Sequence, residues 1–103
     1  MSKEELKTKG VIKVKLLGVL KGLAKVESID LNVDAEGKRL DEILLELTQI
    51  FGEEFKNRIF QGGKISPDVL VNYKGKVFSI RNNEGVIIEE GSTITIFSFV
   101  HGG

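Results

Sequence analysis

Apolar and polar residues alternate along three long stretches of the chain, as they do in half-buried β-strands. The stretches run from Val11 to Leu20, from Val26 to Val33 and from Ser92 to Phe99. Lys21 and Gly22 separate the first two and are typical of a turn, so the pattern predicts an antiparallel hairpin. In the last stretch, isoleucines occupy one face and the other face carries Thr93, Thr95, Phe97 and Phe99.

A helical period begins after a turn at residues 34–37. From Arg39 onward the apolar positions recur at intervals of three and four, at Leu40, Ile43, Leu44, Leu47, Ile50 and Phe51. This stripe is wide enough to cover one face of a sheet. Gly52 can adopt the left-handed backbone conformation that commonly ends a helix. A shorter helix is expected at Glu53–Phe60, with Phe55 and Ile59 facing inward.

The segment after these helices is rich in turn residues. Residues 61–68 (QGGKISPD) predict a loop, and Gly62-Gly63-Lys64 within it lacks the spacing of a phosphate-binding loop. Two short strands are then expected at Val69–Tyr73 and Val77–Ile80, joined by a tight reversal at Lys74-Gly75.

The order of these elements is strand, strand, helix, short strands and a final strand. This order predicts an α+β domain, with one main helix packed on one face of a mixed sheet of four or five strands. We expect the folded domain to span residues 10–99. Residues 1–9 are polar and charged and predict a flexible N-terminal extension, and residues 100–103 predict a flexible C-terminal tail.

Composition narrows the range of functions. The 103 residues include no cysteine and one histidine, His101, so the sequence predicts no catalytic thiolate and no metal site. Fifteen basic residues balance fifteen acidic ones, which argues against direct nucleic-acid binding. Because the sequence has no membrane-spanning apolar run and no signal-peptide pattern, we expect a cytoplasmic protein without a membrane partner. We also expect it to be a monomer and not an enzyme, with no catalytic residue of its own.

The last residues of the sequence carry a distinctive motif, Val100-His101-Gly102-Gly103. Glycine has no Cβ, so a diglycine forms a narrow thread that can enter a confined active site and present a carboxylate. Glycine pairs also occur by chance or at frayed ends, so the motif alone leaves the role open. His101 has no orienting carboxylate nearby in the sequence, and we interpret it as a contact or solvated residue.

Three stretches together give the chain a resemblance to the β-grasp, ubiquitin-like sulfur-carrier family. They are the opening strand Val11-Ile12-Lys13-Val14, the helix at residues 37–44 (GKRLDEIL) and the terminal run at residues 94–103 (ITIFSFVHGG). The family includes molybdopterin-synthase small subunits, thiazole-forming sulfur carriers, archaeal ubiquitin-like small modifiers and the ubiquitin-related modifier. The tail has Ser98-Phe99 where the molybdopterin-synthase subunit usually has two prolines, and it is most similar to the ubiquitin-related modifier.

The resemblance implies a carrier that serves as a co-substrate of other enzymes and binds no cofactor itself. In this family a ubiquitin-activating-type enzyme uses ATP and magnesium to adenylate the C-terminal carboxylate, here that of Gly103, with Gly102 as its flexible neighbour. A sulfurtransferase supplies sulfur to form a thiocarboxylate, which then donates sulfur in tRNA thiolation or molybdopterin biosynthesis. Phe99, Val100 and His101 would contact the entrance of the enzyme's site.

The first and last strands of a β-grasp sheet lie side by side and parallel. Leu17 and Phe97 interrupt the polar faces of these strands near their ends, so the resemblance predicts an exposed apolar patch that docks the activating enzyme. Phe99 would extend this patch toward the tail, and Val77 or Phe78 would border it. The alternative is that Phe97 packs beneath the loop at residues 81–85.

Three functions remain open at this point. The first is a sulfur carrier, and the second is a covalent modifier joined by an isopeptide bond to target lysines. These two share one activated tail. The third is a non-covalent β-grasp binding module whose diglycine is incidental. No lysine of the sequence stands out as a conjugation acceptor.

Overall fold

The computed structural model describes residues 9–99. Residues 1–8 of the extension predicted at residues 1–9 and the tail predicted at residues 100–103 lie outside that range, whereas Lys9 is already part of the first strand. Its elements are, in order, β1 (Lys9–Leu16), α1 (Gly18–Ala24), β2 (Ser28–Asp34), β3 (Lys38–Arg39), α2 (Leu40–Phe51), α3 (Glu53–Ile59), β4 (Phe60–Gln61), β5 (Lys64–Ile65), β6 (Val69–Tyr73), β7 (Lys76–Ser79), β8 (Ile87–Ile88) and β9 (Thr93–Ser98). No helix in this described part of the chain is long and apolar enough to cross a membrane.

A mixed five-stranded sheet forms the centre of the molecule, in the order β2-β1-β9-β6-β7. β1 and β9 are parallel neighbours, and each of the other neighbouring pairs is antiparallel. Two small ribbons accompany this sheet, one of β3 with β8 and one of β4 with β5. The predicted α+β architecture with a mixed sheet is confirmed.

The hydrophobic core lies between one face of this sheet and the helices. The buried apolar side chains of β1, α2 and β9 are each at most 1% exposed: Ile12, Val14, Leu16, Leu40, Ile43, Leu44, Leu47, Ile94 and Ile96. The predicted stripe of α2 is wrong at Ile50, which is 47% exposed. Thr48 is buried instead, because it lies one turn after Leu44 and satisfies its hydroxyl by donating to the carbonyl of Leu45 at 2.7 Å.

α3 follows α2 almost without interruption, as predicted. Phe55 and Ile59 are fully buried, and the ring of Phe55 lies 5.1 Å from that of Phe51. Gly52 separates the helices with φ 92° and ψ −167°. Its φ is positive, but its conformation is not the left-handed helical one that we predicted, and the next residue already begins α3.

The predicted first hairpin differs from the structure in its connection. β1 and β2 pair antiparallel, but β1 ends at Leu16, and residues 18–24, predicted as strand and turn, form α1. Leu20 of α1 is fully buried, and Leu23 and Ala24 pack against the core at helical spacing from it. Because α1 is short and contains two glycines, its helical period was hidden by the alternation that precedes it.

The segment predicted as a loop at residues 61–68 contains a small hairpin. Phe60 pairs with Ile65 and Gln61 with Lys64, and the reversal is made by two glycines with positive φ, Gly62 and Gly63. The second predicted reversal, at Lys74-Gly75, is confirmed between β6 and β7.

A tight turn at Ser66–Val69, which we call the Asp68 turn, connects β5 to β6. The amide of Ser66 donates to the carbonyl of Ile59, at the end of α3, at 2.7 Å. The amide of Val69 donates to the carbonyl of Ser66 at 3.2 Å. Pro67 stands at the second position, where its fixed φ favours this turn geometry. The turn is therefore held both by its own backbone and by α3.

The carboxylate of Asp68 is the centre of a hydrogen-bond network. The guanidinium of Arg58 donates to both carboxylate oxygens, at 3.0 and 3.3 Å, and the hydroxyl of Ser66 donates to one of them. The Arg58 and Asp68 side chains are 24% and 19% exposed, so solvent screens this ion pair less than a fully exposed one. The backbone carbonyl of Asp68 accepts from the amide of Phe99 at 2.7 Å. The network thus holds the chain just beyond the end of β9.

The ionisation of Asp68 is linked to this network. Desolvation by burial acts to raise the pKa of Asp68, but the hydrogen bonds from Arg58 and Ser66 together outweigh it. The net pKa lies below the ordinary value of 3.8. A carboxyl whose pKa is lower in the folded state than in the unfolded state stabilises the protein above its unfolded-state pKa. That stabilisation is lost as the pH falls toward the folded-state pKa.

We expect Gly37→Ala to lower the free energy of unfolding by about 3 kcal/mol, because left-handed strain and a backbone overlap add together. Gly37 has φ 85°, and a Cβ there would overlap the carbonyl oxygen of Ile88. Gly62→Ala is the matched control, since Gly62 has φ 59° and its Cβ would meet no atom within 4 Å. We expect that control to lose only about 1 kcal/mol. Urea denaturation measures both, and equal losses would contradict the steric explanation.

We expect the free energy of unfolding to decline as the pH is lowered from about 5 to below 3.8, in part through protonation of Asp68. Asp68→Asn should be less stable than the wild-type protein at neutral pH and should show a shallower decline over this range. The measurement is urea denaturation at a series of pH values. Parallel pH profiles for the two proteins would show that Asp68 does not contribute to the acid sensitivity.

Candidate functional site

The two faces of the main sheet differ in character. One face packs on the helices, and the other, which we call the open face, carries polar side chains along most of its length. On β1 these are Lys13 and Lys15, and on β9 they are Thr93 and Thr95; the register places Lys13 beside Thr93 and Lys15 beside Thr95. An antiparallel partner, Asp30 on β2, lies opposite Lys13.

The open face becomes apolar where β1 and β9 end. Leu16 is beside Ile96 in the parallel register, and the amide of Leu17 donates to the Ile96 carbonyl at 3.3 Å. One residue further along both strands, Leu17 and Phe97 therefore occupy neighbouring positions on the open face. Leu17 is 51% exposed, and Phe97 is partly buried. The structure brings these two predicted residues together.

A third apolar residue completes this row, and the sequence prediction missed it. Leu70 of β6 lies directly opposite Phe97 in the antiparallel register and is partly buried. Its neighbours Val69 and Val71 are fully buried on the helix face, so the alternation within the third strand already placed Leu70 on the open face. We call Leu17, Leu70 and Phe97 the apolar row.

Phe78, predicted to border this patch, lies on the opposite face of the sheet. It pairs with Val71 on β6 and packs against the core. Because side chains alternate along a strand, its neighbour Val77 is the residue that reaches the open face, where it is 55% exposed. Val77 pairs with Asn72, which places it one row away from Phe97. The prediction for Phe78 is therefore corrected.

The end of the described chain lies beside the apolar row. Phe99 is 56% exposed, and its amide is fixed to the Asp68 carbonyl, as described above. Four predicted site residues lie outside the described residues: Val100, His101, Gly102 and Gly103. The apolar row and the start of the tail are thus both at the edge of the sheet where β9 ends.

The helix side of the molecule carries a separate cleft of about 510 Å³ near the start of α2. Five of its ten lining residues are charged: Asp41, Glu42, Lys64, Arg81 and Glu84. Hydrogen bonds from Arg39, at 3.0 Å, lower the pKa of Asp41 below its ordinary value. This cleft contains no predicted site residue. Within residues 9–99, no group of three or more histidine, cysteine, aspartate and glutamate side chains is placed to hold a metal ion.

The amino-acid sequence itself matches no protein-family model and no curated protein, whereas several solved structures are similar. The solution structure of small archaeal modifier protein 1 from Methanosarcina acetivorans aligns over 93% of this chain and 99% of its own, with 24% identity and a TM-score of 0.70. Urm1 from Trypanosoma brucei aligns over 100% of both chains, with 23% identity and a TM-score of 0.69. A putative molybdopterin converting factor subunit 1 from Pyrococcus furiosus aligns over 88% of this chain and 99% of its own, with 23% identity and a TM-score of 0.61.

Similarity over nearly the whole length at such low identity establishes the fold. The helix-backed mixed sheet and the parallel pairing of its first and last long strands agree with it. The chain has the β-grasp, ubiquitin-like fold.

Proposed function

We propose that this protein is a ubiquitin-like sulfur carrier whose Gly103 carboxylate is activated by an adenylating enzyme and converted to a thiocarboxylate. One observation carries the proposal. The apolar row of Leu17, Leu70 and Phe97 lies at the edge of the open face where β9 ends, and the diglycine tail follows β9 directly in the sequence. An apolar surface beside the point where the tail begins suits a protein that other enzymes bind and modify.

The structural neighbours support this class of function. The names of the three proteins are small archaeal modifier protein 1, Urm1 and putative molybdopterin converting factor subunit 1. Each has the same fold, and each aligns over at least 88% of this chain. The second candidate function, a covalent modifier of target lysines, is favoured by the modifier name of the archaeal protein. Both functions require activation of the same carboxylate.

The proposed chemistry proceeds in two steps. In the first, a carboxylate oxygen of Gly103 attacks the α-phosphorus of ATP in the partner's site, and pyrophosphate leaves. The resulting acyl adenylate contains AMP as a leaving group, which a free carboxylate lacks. In the second step, sulfur at the oxidation level of sulfide, supplied by a sulfurtransferase, attacks the acyl carbon and AMP leaves. In the modifier function, a lysine amine of the target attacks the activated acyl group instead.

The residues of this chain contribute binding and presentation. The apolar row provides a desolvated contact for the adenylating enzyme, of the kind that dominates protein interfaces. Gly102 and Gly103 lack side chains, so the tail can pass through a narrow channel to the nucleotide. Val100 and His101 would contact the walls of that channel. This protein is then a co-substrate, and turnover belongs to its partner.

We expect intact-mass analysis of the protein from its native cells to show a form in which one oxygen is replaced by sulfur at Gly103. Deletion of Gly103 should abolish this form, because the remaining terminus would fall short of the partner's nucleotide site. A parallel search for diglycine remnants on lysines of other proteins tests the modifier function. If neither product forms in cells that contain the adenylating enzyme, the proposal is wrong and a non-covalent binding module remains.

We expect Phe97→Ala to weaken binding to the adenylating enzyme by about 2 kcal/mol or more, as truncation of an aromatic hot spot does. Leu17→Ala should weaken it by a smaller amount, since leucine is less often a hot spot. Isothermal titration calorimetry measures both.

Leu45→Ala is the matched control for Leu17→Ala. Leu17 and Leu45 are each 51% exposed, but Leu45 lies on α2, away from the open face. We expect this control to bind with wild-type affinity. Equal binding by all three variants and the wild-type protein would exclude the apolar row as the docking surface. A large loss of folding stability in Phe97→Ala, without a change in affinity, would identify Phe97 as a core residue.

A further inference from the structure

We infer that the ion pair of Arg58 and Asp68 positions the reactive tail by fixing the direction in which the chain leaves the sheet. This inference rests on the function proposed above, and it assigns positioning roles to two residues that do not belong to the apolar row. Neither residue is expected to touch the reacting atoms.

The first step concerns the point where the chain leaves the sheet. β9 ends at Ser98, and the next amide, that of Phe99, donates to the carbonyl of Asp68 at 2.7 Å. This hydrogen bond joins the last described residue to the Asp68 turn. The side chain of Phe99 is more than half exposed, and the backbone bond contributes to holding this residue in place. The position of Phe99, where the tail starts, therefore depends in part on where the Asp68 carbonyl lies.

The second step concerns what fixes that carbonyl. The carboxylate of Asp68 accepts two hydrogen bonds from Arg58 on α3 and one from the hydroxyl of Ser66. A bidentate arginine–carboxylate pair restrains orientation as well as distance. Ser66 is itself buried, and its amide is bonded to the carbonyl of Ile59 at the end of α3. The Asp68 turn is thus tied to α3 through both its backbone and its side chains.

The third step is the effect on the tail. Four residues separate Phe99 from the terminal carboxylate, and an extended chain of that length reaches about 14 Å. The terminus can reach only positions within that distance of Phe99, so a displacement of Phe99 shifts the whole region that the terminus can reach. Transfer reactions lose about a hundredfold in rate when reacting atoms are misplaced by as little as 1 Å. A rigid base for the tail therefore increases the fraction of docked complexes in which Gly103 is correctly placed.

The test compares Asp68→Asn and Arg58→Lys with the wild-type protein. Asp68→Asn removes the charge of the carboxylate, and Arg58→Lys keeps the positive charge but loses the bidentate geometry. Glu89→Gln is the matched control. It removes the carboxylate of an ion pair with Lys74, at 2.9 Å, at the opposite end of β6.

Two measurements are needed. Hydrogen exchange by NMR reports opening at the Phe99 amide without any partner. Exchange of labelled pyrophosphate into ATP, with the adenylating enzyme of the source organism, reports kcat and KM for activation of the tail. Both are made at a temperature where circular dichroism shows every variant to be folded.

We expect Asp68→Asn to accelerate exchange at Phe99 about tenfold and to lower kcat about tenfold or more with little change in KM. Arg58→Lys should lie between this variant and the wild type, and Glu89→Gln should match the wild type. Unchanged kcat, or a change in KM alone, would overturn the positioning role, as would unchanged exchange at Phe99. Failure of the wild-type protein itself to support exchange would instead overturn the proposed function, whatever the variants do at Phe99.

Discussion

The parallel pairing of β1 with β9 is the constraint on which the rest of the structure depends. Parallel neighbours cannot be joined by a hairpin, so the chain must cross over between them. All three helices in the described part of the chain lie on this crossover, and they pack on one face of the sheet. The same pairing places Leu16, the end of β1, beside Ile96, two residues before β9 ends at Ser98. The one-sided core and the closeness of the two strand ends therefore share one cause.

The open face agrees with the pairing of the sheet, since three of its four neighbouring strand pairs are antiparallel and antiparallel sheets commonly leave one face to solvent. Lys15 and Thr95 are neighbours on the open face, and their polar side chains are suited to contact with solvent. The apolar row of Leu17, Leu70 and Phe97 stands out against them. Core packing does not explain it, because the core lies on the other face. An apolar surface that the fold does not need is readily explained by a partner that covers it.

The sequence predicted the elements whose period was sustained and missed those that were short. The alternation in β9 and the three-and-four spacing in α2 are long enough to be unambiguous. α1 has only seven residues and follows a strand directly, so its pattern merged with that of β1.

Leu17 and Phe97 were predicted because alternation fixes the face of each residue within its own strand. Phe78 was misplaced because its face depends on the register between β6 and β7. In that register Phe78 lies opposite Val71, which is buried on the helix face. The network around Asp68 joins residues of different elements, and no periodicity signals such a contact.

In the function proposed above, affinity for the adenylating enzyme and placement of the tail depend on different parts of this molecule. The apolar row is held by β1, β9 and β6, whereas the Asp68 turn is held by α3 through Arg58. Leu17 of the apolar row and Arg58 share no partner among the contacts described above, so the effects of substitutions at these two residues are expected to add, and docking strength and tail placement can be changed separately there. As a carrier released after each transfer, the proposed function, the protein would gain from this separation, because a weaker docking contact need not loosen the base of the tail. In that function, one surface would set how long the complex lasts and another would set how often the terminus is correctly placed within it.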